Sequence, residues 1–261
     1  MNAVGTHTAR VSLGLTLALV TAVSAALSPR AGEAGELKSH FPATYRVSKN
    51  GFPLGLAERR LQIRPDGTQI FTSKAHPTGL AALFVSDKVT ERSVEQRQGD
   101  RIRPLSYQYR QSGGKHERQW SLHFDWAADR VTSSHDNIQH ALAPDTQDLL
   151  SFQLALMLDL QAGKRSFSYP IVDKKEVHDY GFKAAGRQML RTPVGRLKTL
   201  KLVHKDVQGE GSFIFWCAVN YGYLPVRIER TDEDGDRVTM ELHSMPGKSA
   251  QYRSPDNDTL D

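Results

Sequence analysis

The stretch FIFWCAVNYGYLPVRIER, residues 213–230, contains the only cysteine of the chain and one of its three tryptophans. It reads either as a thiol site or as the middle of a β-sheet, and that choice decides the fold class. If it is a strand, Phe213, Phe215 and Cys217 share one face, and Ile214 and Trp216 share the other. The run FIFWCAV is apolar throughout and is bounded by Gly211 and Asn220, which describes a strand covered on both faces. Gly222 then marks a break, and Pro225 suits a strand start or edge because it cannot donate to a ladder. Val226 and Ile228 alternate with Arg227 and Glu229. Beyond the turn DEDGD, residues 232–236, Val238, Met240 and Leu242 alternate with Thr239 and Glu241. This is a hairpin with one wet face. A catalytic thiol needs a lowered pKa, access to solvent and a nearby base. The apolar neighbours of Cys217 push the other way, so it reads as a buried core thiol.

The same alternation extends outward along the chain. Asn50-Gly51 is a hairpin signal, and RPDGT, residues 64–68, supplies turn chemistry in Pro65, Asp66 and Gly67. Leu105, Tyr107 and Tyr109 alternate with polar residues. In WSLHFDW, residues 120–126, Trp120, Leu122, Phe124 and Trp126 point one way and Ser121, His123 and Asp125 the other. The segment TGLAALF, residues 78–84, reads as a short helical turn or bend. One segment breaks the pattern: residues 145–162 read as a helix, capped by Asp145, with Asp148 in its first turn and Gly163 as its stop. This helix is apolar on nearly every side, so it should be buried against the sheet. The expected fold is mainly β: a curved antiparallel sheet or partial barrel of about ten to twelve strands, counted from turn spacing, on one long buried helix.

The chain has 261 residues, net charge +5, 39% hydrophobic and 24% charged residues, which suits one soluble domain. Its basic residues are spread out rather than blocked, which argues against nucleic acid as a partner. Residues 1–25 read as a signal peptide: Arg10, then an apolar small-residue run ending in Val23-Ser24-Ala25. An uncleaved anchor is the other reading of that run. A polar linker, residues 26–43, a single β-rich domain, residues 44–245, and a polar disordered tail, residues 246–261, complete the expected layout. The expected location is the periplasm, and with a single cysteine no intrachain disulfide is possible.

No catalytic constellation is visible. There is no GxSxG elbow, P-loop, HExxH or GxGxxG before a helix. His123 and Asp125 lie on the wet face of a strand, His135-Asp136 and His178-Asp179 are adjacent pairs, and DEDGD lacks the spacing of a calcium loop. The expectation is therefore no enzyme, no metal and no cofactor. The aromatic faces hold more interest. Trp120, Phe124, Trp126, Phe152, Leu156, Phe213, Phe215 and Trp216 either line an apolar cavity between sheet and helix or fill it.

Four segments in this order resemble the bacterial exported family called domain of unknown function 3108: YRVSKNGFPLGLAERRLQI, GLAALFVSDKVTERS with IRPLSYQYR, QDLLSFQLAL, and FIFWCAVNYGYLPVRIER. Together they span residues 44–243. The resemblance implies an exported protein and an architecture, but no chemistry. More loosely, one buried helix within a run of strands is similar to the lipoprotein carriers LolA and LolB, whose incomplete barrels hold lipid chains. Those carriers have more helices than are visible here. The expected function is non-enzymatic binding or chaperoning of a lipid-like ligand in the cell envelope. The alternative is a structural or protein-interaction module with a filled core.

Overall fold

A computed structural model describes residues 42–114, 117–205, 211–246 and 248–249. The signal peptide, most of the linker and nearly all of the tail expected from the sequence lie outside the described residues. The strands are β1 (Pro42–Lys49), β2 (Phe52–Ile63), β3 (Thr68–Pro77), β4 (Lys88–Gln98), β5 (Arg101–Ser112), β6 (Arg118–Asp125), β7 (Arg130–Ser133) and β8 (Gln139–Ala141). Helix α1 (Ser151–Gln161) follows, then β9 (Ser166–Val172), β10 (Val177–Thr192), β11 (Gly195–Lys205), β12 (Ser212–Ala218), β13 (Leu224–Thr231), β14 (Arg237–Met245) and β15 (Lys248–Ser249). All belong to one antiparallel sheet, ordered β8-β7-β6-β5-β4-β3-β2-β1-β14-β13-β12-β11-β10-β9, with β15 beside β14. The sheet is thus two meanders joined where β1 meets β14, with Tyr45 opposite Leu242 on one side and Ala57 on the other.

Strand chemistry explains the turns. Asn50 and Gly51 take φ of 50° and 84°, the positive-φ pair that a tight hairpin requires. At residues 64–68 the Thr68 N–H donates to Asp66 Oδ1 (2.9 Å), and at residues 232–236 the Asp236 N–H donates to Asp232 Oδ1 (2.8 Å).

A flat sheet of fourteen strands would hold its edges roughly 60 Å apart at the usual strand spacing. Here the edges meet, so the sheet is rolled. Ser133 Oγ of β7 donates to the Lys174 carbonyl (2.7 Å), and His140 Nε2 of β8 bonds the Lys175 carbonyl (2.8 Å) in the β9–β10 turn. Gln147, just before the helix, makes a parallel bridge to Ile171. The roll is therefore closed by side chains and by the lead-in to the helix, not by a continuous ladder.

Two expectations need correction. Among the described residues the sheet has fifteen strands rather than ten to twelve, because β7, β8 and β15 are only four, three and two residues long, too short to show a period. The helix is shorter than residues 145–162, spanning Ser151–Gln161 after Leu150 at the N-cap position, and the side chain that caps its first N–H groups is that of Asp148, not Asp145. Asp148 Oδ1 accepts the N–H groups of Leu150 and Ser151 (both 2.8 Å), and Ser151 Oγ accepts the Asp148 N–H (2.9 Å), a reciprocal cap. Asp145 is exposed and faces Arg101 at 3.5 Å. Thr146 and Gln147 cannot join the helix because they are committed elsewhere, to the Ala143 N–H and to β9. The stop at Gly163 matches the expectation: φ is +88° and Lys164 N–H bonds the Asp159 carbonyl (2.9 Å), a left-handed C-terminal cap.

The core has two parts. The larger packs Leu150 and, from α1, Phe152, Leu154, Leu156, Leu158 and Leu160 against residues from both meanders, including Leu61, Tyr107, Leu122, Ile171, Leu202 and Phe215. The smaller joins Tyr45, Ala57 and Leu242 to Trp216, Val226 and the far end of the β10–β11 hairpin, Leu190, Val194 and Leu197. Cys217 belongs to the first cluster and Trp216 to the second, so β12 is covered on both faces.

Replacing Asp148 by alanine removes the cap and strands the Ser93 hydroxyl, and should cost about 2 kcal/mol in urea unfolding. Asp148→Asn keeps an acceptor and should cost less. Equal losses in the two variants would remove the capping role assigned here.

Candidate functional site

The eight residues expected to face an apolar ligand are not all brought together. Trp120, Phe124, Phe152, Leu156 and Phe215 are buried in the larger core, with Trp126 and Phe213 packed at its margin. Trp216 lies apart in the second cluster, its ring near Lys201 Nζ (5.4 Å) and the Arg227 guanidinium (5.7 Å). On the first meander, Trp120 stacks with Tyr109 (5.7 Å between centroids) and Phe124 with Trp126 (6.5 Å), whose indole N–H donates to the Pro104 carbonyl (2.7 Å).

On the second meander the aromatic side chains form a continuous cluster, which joins Phe167, Tyr169, Tyr180, Phe182 and His204, unmarked in the sequence, to the expected Phe152, Phe213 and Phe215. Phe182 of β10 is its hub, with centroids 6.1 Å from Phe152, 5.5 Å from Phe215, 6.0 Å from Phe167 and 5.5 Å from His204. Tyr180 stacks on His204 at 4.9 Å, and Phe213 meets Tyr180 at 5.8 Å. His204 Nδ1 donates to the Gly181 carbonyl (2.7 Å), which fixes its ring against the strand. The signal was present as alternation in SFSYP and DYGF, whose rings pair across the ladder as Phe167–Phe182 and Tyr169–Tyr180.

This cluster borders an open cleft of about 870 Å³ running along β9, β10 and β11. Phe167 and Val203 are partly exposed along it, Phe182, itself buried, backs it from the core side, and Lys183 is its charged group. Gly181 makes room for it: a Cβ there would meet only Ser168 Oγ, at 4.0 Å. The ladder between β10 and β11 shifts register between Ala184 and Arg187, where Gly186 has φ of +99°, and this bulge bends β10 beside the cleft. None of the eight expected residues is in the cleft wall.

A second feature lies beneath the start of α1. Strand β4 turns Glu91, Ser93 and Glu95 to one side, and the last two are fully buried. Ser93 Oγ donates to Asp148 Oδ2 (2.6 Å), Tyr107 OH donates to Glu91 Oε1 (2.7 Å), and Arg59 Nη1 donates to Gln153 Oε1 (2.5 Å). Both oxygens of Glu95 lack a hydrogen-bond partner, as do Oε1 of Gln69, its ladder neighbour, and Oε1 of Gln147. Burial holds the Glu95 carboxyl well above the usual range, and the nearby Asp148 carboxylate adds to this. Burial raises Asp148 to about 6, against the hydrogen bonds that favour its charged form. Burial also raises Glu91, opposed by Tyr107 and Arg59. Among the described residues, no group of three His, Cys, Asp or Glu side chains is placed to hold a metal ion.

The remaining chemical candidates have structural surroundings. Cys217 is fully buried, and burial pushes its thiol up. His123 is exposed on the wet face of β6, and Asp125 Oδ1 accepts the N–H groups of Ala127 (3.2 Å) and Ala128 (3.0 Å) in the turn that follows.

The raised carboxyls carry a pH prediction. Each binds its proton more tightly in the folded state than at the unfolded value of about 4. The stability they contribute is complete below that value and is lost as pH rises through the folded pKa, about 6 for Asp148 and well above the ordinary value for Glu95. The urea midpoint should fall from pH 4.5 to pH 8, and Glu95→Gln should raise it at the alkaline end and flatten the slope; an unchanged slope would count against a buried, raised Glu95. Cys217 should resist a water-soluble thiol reagent in the native protein and react fully in denaturant. Rapid native labelling would contradict its burial.

No curated protein matches this chain. Among solved structures it is similar to a beta-barrel-like protein of domain of unknown function DUF1849 from Brucella abortus, with 8% identity over 79% of this chain and 97% of that one and a TM-score of 0.51. That likeness concerns the fold. MucB also matches, with 13% identity over 86% of this chain and 58% of that one and a TM-score of 0.35. Among the described residues, no helix is long and apolar enough to cross a membrane. The family model described as Protein of unknown function (DUF3108) matches residues 44–243, so the chain belongs to that family.

Proposed function

We propose that this protein is an exported, non-enzymatic component of the cell envelope that holds an apolar, acyl-like ligand along β9–β11. The supporting observation is the cleft of about 870 Å³, because Phe182 in its wall also anchors the buried aromatic cluster containing Phe152 and Phe215. The volume is within the range of small-molecule sites, roughly 300–1,000 Å³. Burying an acyl chain there would contribute about 25 cal/mol per Å² of apolar area removed from water. Lys183 at the rim suits an anionic head group. In this reading two of the residues first expected to touch ligand, Phe152 and Phe215, back the cleft through Phe182, and the periplasm is where the protein works.

Gly181→Val is the informative variant. Valine suits a strand, the space around the added Cβ is open, and the side chain occupies the cleft. Titration with a fluorescent long-chain fatty-acid analogue should saturate the wild type and be weakened at least about tenfold in Gly181→Val, with an unchanged melting temperature. Lys183→Glu should weaken the anionic probe while sparing a neutral one. Equal binding by wild type and Gly181→Val would place the ligand elsewhere, and no binding by wild type would remove the reading.

A further inference from the structure

We propose that the turn between β3 and β4, with Phe52 beside it, is a membrane-contact surface that inserts apolar side chains into the interface of an anionic phospholipid bilayer. This surface is separate from the β9–β11 cleft and does not depend on that cleft holding a ligand. In the turn, Leu80 is 80% exposed, Leu83 74%, Phe84 86% and Val85 41%, and Phe52 at the start of β2 is 74% exposed. A soluble surface scatters large apolar residues singly; a contiguous group of this size marks a contact with something apolar.

The exposure is built in. Thr78 N–H donates to the Leu54 carbonyl (3.2 Å), tying the start of the turn to β2 next to Phe52. The Phe84 and Val85 N–H groups both donate to the Ala81 carbonyl (3.1 and 2.8 Å), closing a 3-10 turn over Gly79–Leu83. Glycines permit tight backing on both sides. A Cβ on Gly55 would lie 2.1 Å from the His76 carbonyl oxygen, and one on Gly113 would lie 2.5 Å from that of Ser86. The backbone is held from below while the leucines and the phenylalanine point away from the body. Four side chains exposed by three quarters or so form a projection, not a groove. A bilayer interface accepts a projection without needing a matching pocket, whereas a protein partner would have to supply one.

Charge favours an anionic surface. Lys74 and Lys88 are exposed, neither has an ion pair among the described contacts, and both border a groove of about 600 Å³ that also reaches Ala82 and Val85 of the turn. Two acids lie nearby: Asp87, whose Oδ1 accepts from Gln111 Nε2 (2.7 Å), and Glu58, exposed and opposite Lys74 in the ladder, with the exposed Arg60 two residues on along the same face. The acidic turn at residues 232–236 meets the β1–β2 hairpin on the Phe52 side of the patch, where its Asp236 is paired with Lys49 (2.5 Å), the ladder partner of Phe52, and with Asn50 (2.8 Å). Basic residues flanking an apolar projection draw it to anionic head groups and then let it enter the acyl boundary.

The test is flotation of protein purified from expressing cells with phosphatidylcholine vesicles, with and without a share of phosphatidylglycerol. The wild type should float with the anionic vesicles. A Leu83→Ser, Phe84→Ser double variant should lose this binding by about tenfold or more, since both side chains lie outside the core. Lys74→Glu with Lys88→Glu should abolish the preference for phosphatidylglycerol. Phe84→Trp should show a blue shift of its emission on adding anionic vesicles. Flotation of the serine variant equal to wild type, or no flotation of wild type, would overturn the proposal. So would a wild-type dimer that the serine variant converts to monomer, since the patch would then cover itself.

Discussion

Two adjacent residues, Gln147 and Asp148, control how this sheet closes. The Gln147 backbone bonds β9 through the Pro170 carbonyl and the Val172 N–H (2.8 and 2.9 Å), and its side chain reaches the Ile102 carbonyl of β5 (2.8 Å). Asp148 then starts the helix and accepts Ser93 of β4. One short segment therefore touches both meanders and aims α1 into the space between them. Without it, the free edges of β8 and β9 would leave unpaired backbone groups, the usual hazard of an open sheet.

Closing the roll this way has an electrostatic cost. The helix start brings Asp148 to within reach of Glu95, and the pair sits where water cannot help. An apolar seam would be cheaper, since buried carboxyls without partners oppose folding. The acids occupy the one region where the helix N-terminus supplies N–H donors, which softens but does not remove that cost.

Packing also explains where a ligand is proposed to bind. A helix buried along nearly its whole length leaves little space beneath it, and Phe152, Leu154 and Leu156 occupy the interior that an enclosed carrier cavity would need. Free volume is found instead where β10 bulges at Gly186 and lacks a side chain at Gly181. The proposed membrane-contact turn follows a similar logic at the other meander, where glycines let backbone segments approach so closely that large side chains are left outside.

Much of this architecture was legible in the sequence. Alternation in WSLHFDW and in FIFWCAV assigned faces correctly, the burial of Cys217 followed from its neighbours, and the turns at Asn50-Gly51 and at residues 232–236 followed from local backbone chemistry. These features depend on residues a few positions apart. The sequence could not choose Asp148 over Asp145 as the cap, because both are cap residues ahead of the same apolar run, and the choice depends on β9 pairing with Gln147. It could not say which face of β12 the helix covers, because both faces are apolar: Phe215 meets Phe152 of α1, while Trp216 packs with Tyr45, Leu242 and the β10–β11 hairpin. Nor could it show that Leu80 and Phe84 stay in water, or that Phe182 borders a cleft. Burial is a property of what arrives from the rest of the chain, and those arrivals are set by the rolled sheet as a whole.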